Sequence, residues 1–147
     1  MKIQIKIGRI VIILTCIFST SSFANENPLL PPVQTQGQTR FISGGIGKDE
    51  SNAILQARGS WPLMLQLAQT VDSRAHYISD AQITIKNELR NTVLDTATEG
   101  PYLLVNLPAG EYSLEATYNG ITLHRKLNLQ NGSNNKITLI WPADKKN

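Results

Sequence analysis

Residues that build metal and catalytic sites are scarce in this sequence. It has one cysteine, Cys16, and two histidines, His76 and His124, and neither histidine belongs to a His-x-x-Glu or His-Glu-x-x-His zinc motif. No Gly-x-Ser-x-Gly turn presents a serine nucleophile. We therefore predict no enzymatic activity, no metal and no cofactor, with both histidines at the solvated surface.

The sequence also lacks a run of apolar residues long enough to remain in a membrane. Its longest candidate, residues 10–18, is about half of the ~20 residues that a spanning helix needs. Basic residues precede this run, and small residues at Ser22 and Ala24 follow it, as in a cleaved secretory signal. We predict a signal peptide over residues 1–24 and an exported, periplasmic protein. Lipidation at Cys16 is disfavoured because Thr15 precedes it.

An excess of charge is missing from the predicted mature chain. The full sequence has 14 basic and 11 acidic residues, and residues 1–24 contribute Lys2, Lys6 and Arg9 but no acid. The remainder is formally neutral and contains no cysteine for a disulfide. Neither nucleic acid nor an anionic membrane surface is therefore an expected partner.

Composition divides the mature chain into three segments. Residues 25–38 are rich in proline and glutamine and predict a solvated linker, although Leu29 and Leu30 could instead dock on the domain or on a partner. Residues 39–142 form the predicted domain, and residues 143–147 form a charged tail. About 120 residues suffice for one core and not for two.

The clearest structural pattern lies in residues 100–129. Residues 111–118 alternate between apolar and polar side chains, and Asn119-Gly120 suits a two-residue type I′ hairpin turn. This turn places Tyr118 opposite Ile121 and Ala116 opposite Leu123, with apolar residues on one face. Further strands are predicted at residues 41–42, 63–71, 81–86, 92–97 and 136–141. A helix is predicted at residues 49–58, with Asp49 as its N-terminal cap, and a polar loop at residues 72–80.

These elements predict a mainly β fold, an antiparallel β-sandwich of seven to eight strands with one short helix near its N-terminus. Trp61 and Trp141 are expected in the core. Arg125 falls in the inward register between Leu123 and Leu127, so its guanidinium should escape at the rim or a bulge should turn it outward.

The run Thr98 to Leu114, TEGPYLLVNLPAGEYSL, resembles the hallmark of carboxypeptidase-regulatory-like domains, which are small transthyretin-like β-sandwiches. The resemblance covers residues 80–141. It implies a sandwich in which Pro108 and Gly110 form a tight corner, and it implies no catalytic residues. The preceding glycine-rich stretch is similar to one in small uncharacterised exported bacterial proteins with this domain.

The candidate recognition site is the loop Gly44, Gly45, Gly47, Lys48, Asp49 and Glu50. Its glycines permit close approach to another surface, and charges follow at the start of the helix. The alternative is that the glycines simply join a strand to a helix. It is not a phosphate-binding loop, because Asp49 stands where Ser or Thr would follow the lysine.

These observations predict a non-catalytic binding or accessory module for another envelope protein, with self-association through sheet edges as a further possibility. A carbohydrate- or peptidoglycan-binding module is the alternative. It would need exposed aromatic side chains, and Tyr77 is the clearest one that the pattern offers.

Overall fold

The computed structural model of the protein describes residues 29–143. The predicted signal peptide with Cys16, the beginning of the predicted linker and most of the charged tail lie outside the described residues. The described elements are strands β1 (Gln34–Gln36), β2 (Thr39–Gly44), β3 (Leu63–Val71), β4 (Arg74–Tyr77), β5 (Gln82–Asn87), β6 (Thr92–Ala97), β7 (Tyr102–Asn106), β8 (Gly110–Tyr118), β9 (Ile121–Leu129) and β10 (Asn135–Trp141), and helix α1 (Lys48–Ala57).

Two sheets pack face to face around the main core. The six-stranded sheet has the order β1-β2-β7-β3-β10, with β4 paired to the second half of β3, and the four-stranded sheet has the order β6-β5-β8-β9. Leucine and isoleucine side chains from both sheets fill the space between them, and Trp141 lies fully buried there. The predicted mainly β sandwich with one short helix is confirmed.

The sheet topology differs from the prediction in two respects. The structure has more strands than the predicted seven to eight, because β1 and β4 are short and were not expected. In addition, β10 runs parallel to β3, with Asn135 opposite Leu63 and Trp141 opposite Gln69, so the sandwich is not entirely antiparallel.

The predicted hairpin of β8 and β9 is confirmed in its register. Tyr118 pairs with Ile121 and Ala116 with Leu123. Asn119 and Gly120 adopt φ angles of 47° and 76°, which a type I′ turn requires.

Part of the predicted linker belongs to the fold, so the prediction of a solvated spacer over residues 25–38 is wrong for this part. Strand β1 pairs antiparallel with β2, and Leu30 packs against buried residues beneath α1. The Gln36 amide also bonds both backbone groups of Asp95 on β6: it accepts from the N–H at 2.6 Å and donates to the carbonyl at 3.2 Å. The segment therefore closes one side of the sandwich.

Residues 72–80, predicted as a polar loop, contain a strand. Asp72 and Ser73 form a tight turn with φ angles of 48° and 63°, and β4 then pairs antiparallel with β3. All four β4 residues are exposed, so no alternation of apolar side chains marked the strand.

Helix α1 connects β2 to β3 and covers the outer face of the six-stranded sheet. Its buried residues Ala53 and Ile54 face this sheet, and a second apolar cluster forms there from Ile42, Ile54, Trp61, Met64, Tyr102 and Leu104. No helix within residues 29–143 has the length and apolar character needed to cross a membrane.

Candidate functional site

The glycine loop lies between the end of β2 and the start of α1. Gly45 and Gly47 have φ angles of 100° and 85°, values that residues with a side chain rarely adopt. A Cβ on Gly44 would meet the Glu50 carboxylate and stand 2.8 Å from the Pro31 ring, and a Cβ on Gly45 would collide with the Tyr102 ring. Gly44 and Gly45 are therefore required by packing inside the molecule.

Side chains from the first turn of α1 fix the loop in place. The Gly45 N–H donates a hydrogen bond to Glu50 Oε1 at 2.6 Å, and the Ser51 hydroxyl donates to the Gly45 carbonyl at 2.6 Å. The predicted cap Asp49 is wrong: Gly47 is the N-cap and makes no side-chain cap bond. Asp49 and Glu50 lie in the first turn, where acids favour the helix dipole.

The six predicted recognition residues consequently divide into two groups. Gly44 and Gly45 are buried, and half-buried Glu50 bonds its own loop. Gly47, Lys48 and Asp49 are exposed. Ile46, which the sequence did not single out, is 67% exposed between the two groups. The part of the loop that can touch another molecule is therefore residues 46–49.

A pair of tyrosines adjoins this loop. The Tyr102 ring, against which Gly45 packs, lies 5.8 Å from the Tyr77 ring at a tilt of 52°. Gln66 Nε2 donates to the Tyr77 hydroxyl at 3.2 Å. Burial raises the pKa of Tyr102 to about 12, and the neighbouring Tyr77 acts in the same direction. Tyr77 remains 62% exposed, as predicted, although Tyr102 packs near its ring and Gln66 bonds its hydroxyl.

Sequence reasoning missed that Tyr77 stands near the glycine loop. The two are joined through Tyr102, which pairs with Gly44 on β2 and with Gln66 on β3. Tyr77 reaches this position because the β3–β4 hairpin pairs it with Ala68. The residues of β4 are all exposed and show no apolar periodicity, so the sequence did not indicate the hairpin.

The two histidines are not brought together. His76 lies on β4 of the six-stranded sheet and His124 on β9 of the four-stranded sheet, and both are exposed as predicted. Residues 29–143 contain no group of three or more histidine, cysteine or acidic side chains arranged to hold a metal ion.

The outer face of the four-stranded sheet forms an open trough of about 1030 Å³. Its lining includes acids and bases together, among them Lys86, Glu115 and Lys126. Tyr112 borders the trough, and its hydroxyl donates to the Pro108 carbonyl at 2.8 Å. Burial raises the pKa of Tyr112, with a further contribution from the charge of Glu88. The trough is thus an open, mostly polar surface.

Arg125 and the tryptophans occupy the predicted places. Arg125 pairs with buried Leu114, yet its side chain is exposed, and Nη1 donates to the His124 carbonyl at 2.8 Å. Trp61 and Trp141 are buried.

Comparisons with known proteins add no support for a fold or a function. No family model matches the chain, and no curated protein matches it. Among solved structures, the TIE protein of Bacillus anthracis is similar with a TM-score of 0.39 and 16% identity, over 55% of this chain and 16% of that one. This chain thus spans a small part of that protein, and a likeness at this level carries no argument about fold or function.

Proposed function

We propose that the protein is a non-catalytic, exported binding or accessory module that acts on another protein of the cell envelope. The signal-peptide pattern of residues 1–24 supports export to the periplasm. The resemblance of residues 80–141 to carboxypeptidase-regulatory-like, transthyretin-like domains supports a non-enzymatic role by analogy alone.

The observation that carries the proposal is an exposed apolar side chain on a rigid loop. Ile46 is 67% exposed, although the loop around it is fixed by the bonds from Gly45 to Glu50 and Ser51. Tyr77, whose ring packs near the Tyr102 ring that adjoins Gly45, offers a second exposed and positioned side chain. A surface ordered before binding loses less conformational entropy when a partner docks, so these residues suit recognition.

Site-specific photocrosslinking in the native host tests this proposal. A photoreactive amino acid replaces Ile46 in one variant and Leu89, 80% exposed in the turn after β5, in the control. Gly45 stays unchanged, because any side chain there would strike Tyr102. We expect one defined protein to be captured from position 46 and not from position 89.

The captured protein is then purified and its affinity for Ile46→Ser and Tyr77→Ser variants is measured by calorimetry. Each substitution should weaken binding by about tenfold, since each removes an apolar contact. Unchanged affinity in both variants, or equal capture from both positions, would count against the loop as the recognition site.

A neutral carbohydrate or peptidoglycan strand is the second candidate ligand. Tyr77 favours it, because the ring presents an exposed apolar surface while Gln66 bonds its hydroxyl edge. Purified glycan strands titrated into the protein should perturb Gln66 and Tyr77 signals, and Tyr77→Ala should abolish binding. Ile46→Ser should leave glycan binding intact, which separates this ligand from a protein partner.

A further inference from the structure

Strand β9 is an unusually long exposed edge. It pairs with β8 from Gly110 opposite Leu129 to Tyr118 opposite Ile121, and no other strand within residues 29–143 pairs with its second side. The two-residue turn makes Tyr118 and Ile121 a hydrogen-bonded pair. Every second residue therefore directs its backbone N–H and C=O away from β8, namely Thr122, His124, Lys126 and Asn128.

The other edge of the same sheet is protected. Strand β6 has its central backbone groups, those of Asp95, occupied by the Gln36 side chain. At β9 two comparable contacts are described: the Trp141 indole N–H donates to the Ile121 carbonyl at 2.9 Å, and the guanidinium of Arg125, from the strand itself, donates to the His124 carbonyl. Apart from these contacts, the β9 edge described within residues 29–143 remains accessible.

The charge on β9 has one sign. The strand contains Arg125 and Lys126 and no acid. Among residues 29–143 the ion pair is that of Lys86 with Glu115, at 3.6 Å, so the β9 cations have no carboxylate partner there. The nearby acids Glu111 and Glu115 lie on β8, opposite Asn128 and His124.

Arg125 already marks where a partner strand would bind. Its Nη1 donates at 2.8 Å to the His124 carbonyl, one of the backbone groups that point away from β8. The guanidinium therefore stands in for the N–H donor of an absent neighbouring strand, and it does so from the inward register of the sheet.

We propose that the β9 edge binds an extended acidic segment of a partner protein as an added fifth strand. Backbone hydrogen bonds to His124 and its even-numbered neighbours supply the pairing. A carboxylate on the added strand, next to Arg125, accepts two charge-assisted hydrogen bonds from the guanidinium. The His124 carbonyl is then free to accept a hydrogen bond from a backbone N–H of the added strand. This inference goes beyond the proposed function, because the glycine loop lies on the other sheet.

The same charges disfavour pairing with a second copy of β9. Because this strand has cations and no acid, two copies side by side bring like charges together. The edge thus selects its partner both by attraction and by repulsion.

Nuclear magnetic resonance with defined peptides tests the proposal on the full chain. The probe is a capped nine-residue peptide of alternating valine and glutamate, and its control has lysine in place of glutamate. We expect the glutamate peptide to shift and protect from exchange the amides of Thr122, His124, Lys126 and Asn128, and to bind about tenfold or more tightly than the lysine peptide.

The Arg125→Gln variant should lose about tenfold in affinity for the glutamate peptide, and Arg125→Lys should recover part of it. Arg90→Gln, which removes an exposed cation from the β5–β6 turn of the same sheet, should leave the affinity unchanged. Equal binding of both peptides, equal effects of the Arg125 and Arg90 variants, or shifts confined to the glycine loop would overturn the proposal. Capture at Ile46 is a separate measurement, and neither equal binding of the two peptides nor equal effects of the two variants bears on it.

Discussion

The two sheets of this sandwich bury different numbers of faces. The six-stranded sheet packs its inner face into the main core and its outer face beneath α1, where Ile42, Met64 and Leu104 are buried. The four-stranded sheet buries its inner face alone, and its outer face is the charged trough. The central strands β3 and β7 of the first sheet therefore read as nearly continuous apolar runs, such as YLLV in β7, whereas β8 alternates.

This difference produces two kinds of surface on one small domain. Helix α1 does not cover the whole outer face of its sheet, so Tyr77 and Ile140 stay exposed on either side of Ala68. The four-stranded sheet presents charge instead, with basic side chains along β9. An exposed apolar surface and a charged strand edge are thus separated by the main core.

Truncating Trp141 should have the largest effect, because this residue joins both sheets. It is fully buried, its N–H bonds Ile121, and its ring lies 5.9 Å from that of Tyr118. Trp141→Ala should lower the free energy of unfolding by about 3–5 kcal/mol, measured by denaturant titration. A loss below about 1 kcal/mol would show that the sheets do not depend on this contact.

Truncating Ile54 tests the cover of the six-stranded sheet separately. Ile54 is fully buried in the second cluster, so Ile54→Ala should cost about 2–4 kcal/mol of unfolding free energy. Leu55→Ala on the same helix is the matched control, since Leu55 is 42% exposed and should change stability by at most about 0.5 kcal/mol. Hydrogen exchange should accelerate most in α1. Equal costs for both variants would mean that α1 is not held by its buried face.

The sequence predicted those elements whose signals are local. The β8–β9 register followed from alternation in residues 111–118 and from the Asn119-Gly120 turn, both visible within a short window. Strand β1 could not be predicted in this way, because its polar side chains are fixed by residues far along the chain, as Gln36 is by Asp95. Strand β4 is fully exposed and has no apolar period.

The candidate loop shows the same limit. Three glycines before a helix indicated a loop able to approach another surface, and residues 46–49 are indeed exposed. That Gly44 and Gly45 are instead needed inside the molecule depends on Pro31 and Tyr102, which come from distant positions. Composition identified the loop, and only the packing separates its buried part from its exposed part.

Raising the pH should weaken the six-stranded sheet through Tyr102. Because burial raises the pKa of Tyr102 to about 12, the folded state keeps it protonated while the unfolded state ionises near its ordinary value of 10.0. Its contribution to stability is full below pH 10 and is lost as the pH rises toward 12, by about 2 kcal/mol. Denaturant titrations across this range, compared with Tyr102→Phe, measure the loss.

The Tyr102→Phe variant should lack this part of the decline, and tyrosinate absorbance should show one late-ionising group fewer in this variant than in the wild type. Tyr112 controls for the other sheet, since burial also raises its pKa. The same slope in wild type and Tyr102→Phe would assign the decline to other groups.

Removing the ion pair on the outer face of the four-stranded sheet should have the smallest effect. Lys86 Nζ and Glu115 Oε1 are 3.6 Å apart, with side chains 33% and 41% exposed. Water and salt screen such a pair, so Lys86→Ala and Glu115→Gln should each change unfolding free energy by at most about 0.5 kcal/mol, with a similarly small coupling in a double-mutant cycle. A coupling above about 1 kcal/mol would contradict this. Because the sheet does not need these charges to fold, a partner can use them at little cost in stability.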